Sequence, residues 1–471
     1  MKNPLNLTLR FLLCLVLFSC GGNEDPEPIY LSIDPEIIQA DGLGETFSVA
    51  IQSNAAWQAN TTSDWVLLDQ AQGSGDGSLQ FTLEPNPTST SREATVRISV
   101  TGLLKNLSIT QAGSEAPRPD FYIPADPTGM RDMSSLELSQ MMGAGWNLGN
   151  SLEAIGGETA WGNPVVTASL IAQIKNLGFQ SIRIPVAWSK LVNEESYEID
   201  PAWISRVEEV VKYALDQDLF VVLNNHWDGG WMQPTFEEQD EANERLEQLW
   251  IQVALRFRDY DDRLLFAGSN EVLVEGNYGN PSAENLAVQN GFNQIFVNTV
   301  RSTGGRNAYR HLVVQSYNTV VDYAIDHFLI PEDEIEGRLM LETHYYDPWE
   351  FALRDDDLIT QWGSAAIDPD KKAIWGNEDY ADTQFGRLKS KFIDQGIPVI
   401  MGEFGAVSKP SDPANHSNRK HYLDYLSIKM KENGIVPFYW DNGFAGEYGF
   451  ALIDRSTESV IHQDLIEVLV K

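Results

Sequence analysis

Two glutamates, Glu271 and Glu403, each close a short apolar run: Leu264-Leu265-Phe266-Ala267-Gly268-Ser269-Asn270-Glu271 and Ile397-Pro398-Val399-Ile400-Met401-Gly402-Glu403. A pair of carboxyl groups suits cleavage of a glycosidic bond. That reaction needs one carboxylic acid to protonate the leaving oxygen and one carboxylate to face the oxocarbenium-like carbon. Either glutamate alone would be an ordinary strand-end residue. Their weight comes from the elements that place them, because in a parallel (β/α)₈ barrel the C-terminal ends of the strands converge on one face and build the active site there.

Those elements are legible from about residue 130 onward. Apolar strand candidates fall at 143–149, 181–186, 219–225, 264–270, 311–316, 338–344, 397–402 and 435–440. Amphipathic segments lie between them, such as Pro201 to Gln217, where a proline suits the first helical turn, and Glu241 to Arg258. Eight strand–helix repeats predict a single (β/α)₈ TIM barrel over 130–471. The stretch 345–380 holds no obvious strand and is expected to be an active-site loop. Polar and aromatic residues follow every strand but the fifth: Asn147 and Asn150, Arg183, Asn225-His226-Trp227-Asp228, Asn270-Glu271, His344-Tyr345-Tyr346, Glu403, and Trp440-Asp441-Asn442. Folding alone does not call for such a cluster at one end of a barrel.

These residues resemble glycoside hydrolase family five, in which the catalytic glutamates end the fourth and seventh strands. Gly145-Trp146-Asn147-Leu148-Gly149-Asn150, Thr159-Ala160-Trp161-Gly162-Asn163-Pro164 and Tyr439-Trp440-Asp441-Asn442-Gly443 resemble its subfamily four, the endo-β-1,4-glucanases that include xyloglucan and mixed-linkage glucan hydrolases. The resemblance implies Glu271 as general acid/base and Glu403 as nucleophile. It also implies that Arg183 and Tyr346 keep Glu403 ionised, that Asn270 binds the sugar 2-hydroxyl, that His226 and His344 position substrate and carboxylates, and that Trp440 floors the sugar subsite. Asn150, Trp161 and Trp231 are expected to support the cleft, with Trp349 and Trp362 as further candidates on its loops. Two departures stand out: Asn270-Glu271-Val272 where the family usually has Asn-Glu-Pro, and His226-Trp227 where it often has His-His. The implied reaction is retaining, endo-acting hydrolysis of a β-1,4-glucan. A β-mannanase, another β-glycanase or exo-acting glucosidase of the same architecture, and a surface glycan-binding protein on a decayed barrel remain as alternatives. No cofactor is called for, and the seven His show no HExxH-type metal spacing.

Residues 29–113 show short alternating runs, among them Thr46-Phe47-Ser48-Val49-Ala50-Ile51 and Ala94-Thr95-Val96-Arg97-Ile98-Ser99-Val100, separated by turn residues. About seven strands in an antiparallel, immunoglobulin-like all-β sandwich are predicted. Trp57, Asp64-Trp65, Asn86, Arg92 and Ile109-Thr110-Gln111-Ala112-Gly113 resemble the carbohydrate-associated module called BACON. Trp57 and Trp65 read as core. Residues 114–129, with Pro117, Pro119, Pro124 and Pro127, read as a semi-rigid linker.

Residues 1–20 read as an export signal ending in Leu17-Phe18-Ser19-Cys20, which resembles a lipobox. Cys20 is then the lipidated first residue, and the acidic tether 21–28 resembles the motif that sends Bacteroidetes lipoproteins to the outer face. The expected location is the cell-surface outer membrane, through a lipid anchor. Cys14 would leave with the signal, so the mature chain has no disulfide and no cysteine metal site. Against 68 Asp and Glu stand 33 Lys and Arg, a net charge of −35 that repels phosphate backbones, so nucleic acid is an unsuitable partner and a neutral polysaccharide a suitable one. The sequence leaves the oligomeric state open, with a monomer as the working expectation.

Overall fold

The structure is a computed structural model that describes residues 27–42, 44–86, 88, 90–113, 119–193 and 195–471. The signal, Cys20, most of the 21–28 tether and residues 114–118 lie outside the described residues. The chain divides into two compact units, Met1–Arg118 and Pro119–Lys471.

The first unit is a β-sandwich. One sheet orders Leu31–Asp34, Thr46–Ser53, Gly77–Leu83 and Val66–Leu68; the other orders Ile37–Ala40, Leu103–Gln111, Arg92–Val100, Ala56–Asn60 and Gln72–Ser74. That makes nine described strands rather than about seven, and Ile37–Ala40 pairs with Leu103–Gln111 in parallel, so the sandwich is not wholly antiparallel. Burial alternates along the strands, and the inward set (Val49, Ile51, Leu79, Phe81, Val96, Ile98, Leu107, Ile109) forms the core. Trp57 is buried in it, over Gly73, where a Cβ would collide with the indole. Trp65 packs against the same core and carries the Arg92 guanidinium 4.2 Å from its ring centroid. Both tryptophans are therefore structural.

The second unit is a closed barrel of eight parallel strands, each hydrogen-bonded to the next and the eighth to the first. These are β1 (Gly145–Leu148), β2 (Ser181–Ile184), β3 (Phe220–Asn224), β4 (Leu264–Ala267), β5 (Leu312–Val320), β6 (Leu339–Tyr345), β7 (Val399–Phe404) and β8 (Val436–Asp441). All eight lie where the apolar runs predict them. Strands of a parallel barrel are buried on both faces, so they read as continuous apolar runs rather than alternating ones.

Alternation reappears as a division of labour. Val221, Leu223, Phe266, Val314, Leu341 and Met401 face the surrounding helices. Phe220, Val222, Leu265, Ala267, Val313, Met340, Ile400 and Phe438 fill the barrel's lower interior, where Leu138 and Met142 of the helix Ser135–Met142 plug it. A void there, as in Met340→Ala, costs about 2–5 kcal/mol. One step higher the inward positions become polar and ionic: Asn147, Arg183, Asn224, Gln315 and Glu342, all buried.

Residues 119–129, expected to be linker, are fastened to the barrel unit. Arg258 donates to the Phe121 carbonyl at 3.0 Å, Gly305 N to the Ile123 carbonyl at 3.1 Å, and Asp126 N to the Gly305 carbonyl at 3.0 Å. No described helix is long and apolar enough to cross a membrane.

Candidate active site

Arg183 is the centre of the polar layer. Its side chain is wholly buried, and its guanidinium donates to Glu403 Oε1 at 3.0 Å, Asn147 Oδ1 at 3.0 Å and Asn270 Oδ1 at 2.6 Å. Its Nε stands 2.8 Å from Glu342 Oε1. Burial of a guanidinium favours loss of its proton, but the carboxylates of Glu342, Glu403 and Glu271 override this and raise its pKa. Arg183 is thus a fixed positive charge joining β1, β2, β4, β6 and β7.

Glu403 sits beside His344 in the β6–β7 pairing, and both pairings of β7 shift register close to it. Such irregularities re-aim side chains near active sites. Tyr346 donates its hydroxyl to Glu403 Oε2 at 3.0 Å. Burial raises the Glu403 pKa, as does the nearby Glu271, while His344, Arg183 and Tyr346 act against them. Glu271 is the more open of the two, its side chain 39% exposed against 7% for Glu403. One oxygen of each carboxyl and a ring nitrogen of His344 lie within 4.8 Å of one another. Arg183 beside them and carboxylates on both sides of the imidazole make this a proton-handling cluster; a fixed guanidinium would repel a metal ion.

The two histidines differ in their surroundings. His344 Nδ1 is 2.6 Å from Glu271 Oε1, and Nε2 is 3.2 Å from Glu342 Oε1. Burial pushes its pKa down, but Glu403, Glu271 and Glu342 outweigh this and hold it at about 9. His226 instead faces amide nitrogens, Asn224 Nδ2 at 3.1 Å and Asn270 Nδ2 at 3.5 Å. Burial, then Arg183 and His344, push its pKa well below the usual histidine value, so it is neutral. Trp440 lies parallel to the His226 ring, centroids 5.8 Å apart, and presses on Gly149, where a Cβ would be 2.8 Å from the indole.

Asn150 has positive φ (57°), and its carbonyl accepts from Asn163 Nδ2, which also bonds the Asn442 carbonyl. It therefore ties the loop after β1 to the loop after β8. Its backbone N–H points at the buried Glu153, whose pKa burial pushes up to about 7.

A cavity of about 690 Å³ opens from Glu271 and is lined by Trp227, Tyr278, Asn318, Tyr346 and Trp349, among others. The aromatic expectations are redistributed. Trp161 is 44% exposed on the loop after β1. Trp231 donates to Asp228 at 3.0 Å and stacks under Arg245, and it lies outside the lining of the cavities beside Glu271, where its neighbour Trp227 stands instead. Trp362 is buried against Tyr422, with its Nε1 on the Gly376 carbonyl, so it holds the 345–380 loop together and does not reach the cleft. Lys409 fastens the same loop through the Glu350 and Ile359 carbonyls, both at 2.7 Å. Only the start of this loop, Tyr346 to Leu353, contributes to the cavity.

Sequence reading passed over Glu342 and Gln315, and gave the fifth strand no role, although Asn318 and Thr319 line the cavity from its end. A usable signal was present in β6, where Met340, Glu342 and His344 recur at a spacing of two and pass from core to ionic to catalytic layer.

Residues 147–446 match the family model of Cellulase (glycosyl hydrolase family 5), and residues 55–112 match BACON, a putative N-terminal binding domain. The chain is 41% identical over 471 residues to a xyloglucan-specific endo-β-1,4-glucanase of Bacteroides ovatus, covering 96% of this chain and 92% of that one. The solved structure of a Bacteroides ovatus xyloglucanase with a XXXG heptasaccharide matches with a TM-score of 0.74 at 40% identity, over 94% of this chain and 99% of that one. A family 5 xyloglucanase from Paenibacillus pabuli matches at 0.69 and 42% identity, over 70% of this chain and 98% of that one. Barrel, paired glutamates and relatives agree across the whole second unit: the chain belongs to glycosyl hydrolase family 5.

Proposed function

We propose that the chain is a retaining endo-β-1,4-glucanase with xyloglucan as its principal substrate. The observation that carries the mechanism is the close, unequal pair of carboxyl groups. One oxygen of each carboxyl lies within 4.8 Å of the other, which favours the close spacing of a double displacement over the wider one that seats a water for direct attack. Glu403, enclosed by Arg183 and Tyr346, attacks the anomeric carbon as a carboxylate while Glu271, open to the cleft, gives its proton to the leaving oxygen. The glycosidic C–O bond breaks as the ester to Glu403 forms. Water then attacks the same carbon, Glu271 takes its proton, and Glu403 is released. Asn270, its oxygen held by Arg183, presents its NH₂ towards the sugar 2-hydroxyl. Removal of the acid/base typically costs about 10²–10⁴ in rate.

Xyloglucan is supported by the named activities of the relatives that share 40–42% identity with this chain. The decisive assay is a panel of xyloglucan, mixed-linkage glucan, carboxymethylcellulose, glucomannan and xylan. Loss of viscosity ahead of reducing-end release, greatest on xyloglucan, is the expected result; glucomannan as best substrate overturns it. Glu403→Ala should be inactive throughout, whereas Glu271→Ala should turn over an aryl glycoside with azide and yield a β-glycosyl azide. An inverted first product refutes the roles. The reading extends to a surface lipoprotein anchored through Cys20, for which Cys20→Ala should abolish lipid labelling and release the protein from membranes.

A further inference from the structure

We propose that Glu342 is a positioning residue for the reaction: from beneath the catalytic pair it holds His344 as an imidazolium aimed at Glu271, and so sets the charge of both catalytic carboxyls from a layer that substrate does not touch. This rests on the roles given above to Glu271 and Glu403.

The geometry of His344 requires two ring protons. Nδ1 faces Glu271 Oε1 at 2.6 Å and Glu403 Oε2 at 3.7 Å, and Nε2 faces Glu342 Oε1 at 3.2 Å. Glu342 Oε1 and Glu403 Oε2 are carboxylate oxygens, and Glu271 Oε1 accepts both when Glu271 is ionised and when its proton sits on Oε2, so each nitrogen donates. His226 differs, with amide NH₂ groups of Asn224 and Asn270 at 3.1 and 3.5 Å from its nitrogens and, among the described residues, no carboxylate against either to hold a second ring proton.

Glu342 is itself held on every side. Its Oε1 meets Arg183 Nε at 2.8 Å, and its Oε2 accepts from Gln315 Nε2 at 2.7 Å. The orientation of that amide is fixed because Gln315 Oε1 accepts from Ser269 N and Oγ, each at 3.0 Å, one residue before Asn270-Glu271. Gly402 leaves the space, since a Cβ there would collide with the Glu342 carboxylate. Glu342 thus touches both cations of the site: Arg183, which reaches Glu403, and His344, which reaches Glu271.

The charges facing His344 are Glu271 from the end of β4, Glu403 from β7, Glu342 on its own strand and Arg183 from β2, with neutral His226 and Tyr346 completing the site. With Glu271 protonated, two carboxylates balance two cations. Removing the Glu342 charge leaves the same state with a buried excess positive charge, which favours earlier release of protons from the His344–Glu271 pair and from Glu403. Both limbs of the pH–rate profile then move to lower pH. Loss of packing alone would lower the profile without moving its limbs.

The experiment compares wild type, Glu342→Gln and Glu342→Asp by kcat/KM against pH on a soluble β-glucan oligosaccharide, together with ¹⁵N NMR of the His344 ring assigned against His344→Asn. In wild type at pH 7 both ring nitrogens should carry protons. In Glu342→Gln the ring should be neutral, with both limbs lower by about one unit or more. At a pH above both basic limbs this variant then loses about tenfold more than its own optimum accounts for. Glu342→Asp should keep the limbs at reduced height. Limbs that stay in place in Glu342→Gln, or a neutral His344 in wild type, overturn the proposal. Should Glu342→Gln not fold, a neutral His344 ring in wild type still overturns the proposal, and limbs that move in Glu342→Asp overturn it as well. Absence of any glucan turnover by wild type would instead refute the proposed function, with the ring spectrum unaffected.

Discussion

Tyr346→Phe should raise the acid limb of activity by an amount that the structure fixes. The hydroxyl donates to Glu403 Oε2 at 3.0 Å, and the ring meets Phe450 edge-on at 6.3 Å, so phenylalanine keeps the packing and loses only the donor. Burial, and next the charge on Glu403, push the tyrosine pKa well above its usual value, so the hydroxyl is a neutral donor across the working range. A hydrogen bond to a charged group contributes about 1.5–3 kcal/mol, which at about 1.36 kcal/mol per unit is about 1–2 pKa units. Losing a donor to the ionised form disfavours that form, so the Glu403 pKa rises. The acid limb of kcat/KM, which reports the free enzyme, should climb by that amount. One unit above the wild-type limb, activity should fall up to about tenfold. The shift is opposite in sign to that expected for Glu342→Gln, so the two variants cannot share a non-specific cause. An acid limb that stays in place or descends would refute the assignment of Tyr346 to an ionised Glu403.

Trp227 lines the cavity beside Glu271, the proton donor to the leaving oxygen, so Trp227→Ala should cut kcat/KM on polymer about tenfold, as expected for one lost aromatic stacking contact, and leave an aryl glycoside with no sugar beyond the cleaved bond unchanged; equal loss on both would refute a place on the leaving-group side. Because the His344 pKa is raised to about 9, its contribution to stability is complete below about 6.5 and is lost as pH rises through about 9. Calorimetry should therefore show the barrel's Tm falling over that window, a fall that His344→Asn abolishes; an unchanged slope in the variant refutes it. A chain starting at Pro119 should fold and match the full chain on soluble oligosaccharides, whereas one starting at Met130 should melt earlier through loss of the Phe121, Ile123 and Asp126 bonds; equal melting temperatures would make 119–129 a true linker.

The barrel was legible because its eight strands are short, apolar and regularly spaced, and Glu271 and Glu403 were legible because they end two of them. What sequence hid was direction. Trp231 and Trp362 sit on loops as expected, yet one is held by Asp228 and Arg245 and the other by Gly376 and Tyr422, contacts that turn each indole away from the cleft and that loop sequence does not encode. Glu342 was masked by its apolar neighbours, since a carboxylate inside a buried strand makes sense only once Arg183, Gln315 and His344 surround it. Trp57 lies on the strand Ala56–Asn60, where alternation turns it inward, whereas Trp65 stands in the turn before Val66–Leu68 and packs on the core from there.

The ionic layer also bears on how the barrel comes apart. Arg183 belongs to the second strand, and its carboxylate partners to the sixth and seventh, while Asp441 of the last strand accepts from Trp146 of the first and from Arg455. The Arg183 pairs with Glu342 and Glu403 join strands that are not neighbours in the barrel, so no adjacent strand pair neutralises this charge by itself. A partial barrel that holds β2 without β6 and β7 strands the Arg183 guanidinium in an apolar interior, at about 3–5 kcal/mol for each pair broken. Partly open forms are thereby depopulated, and closure becomes a single cooperative event in which the catalytic charges act as the latch.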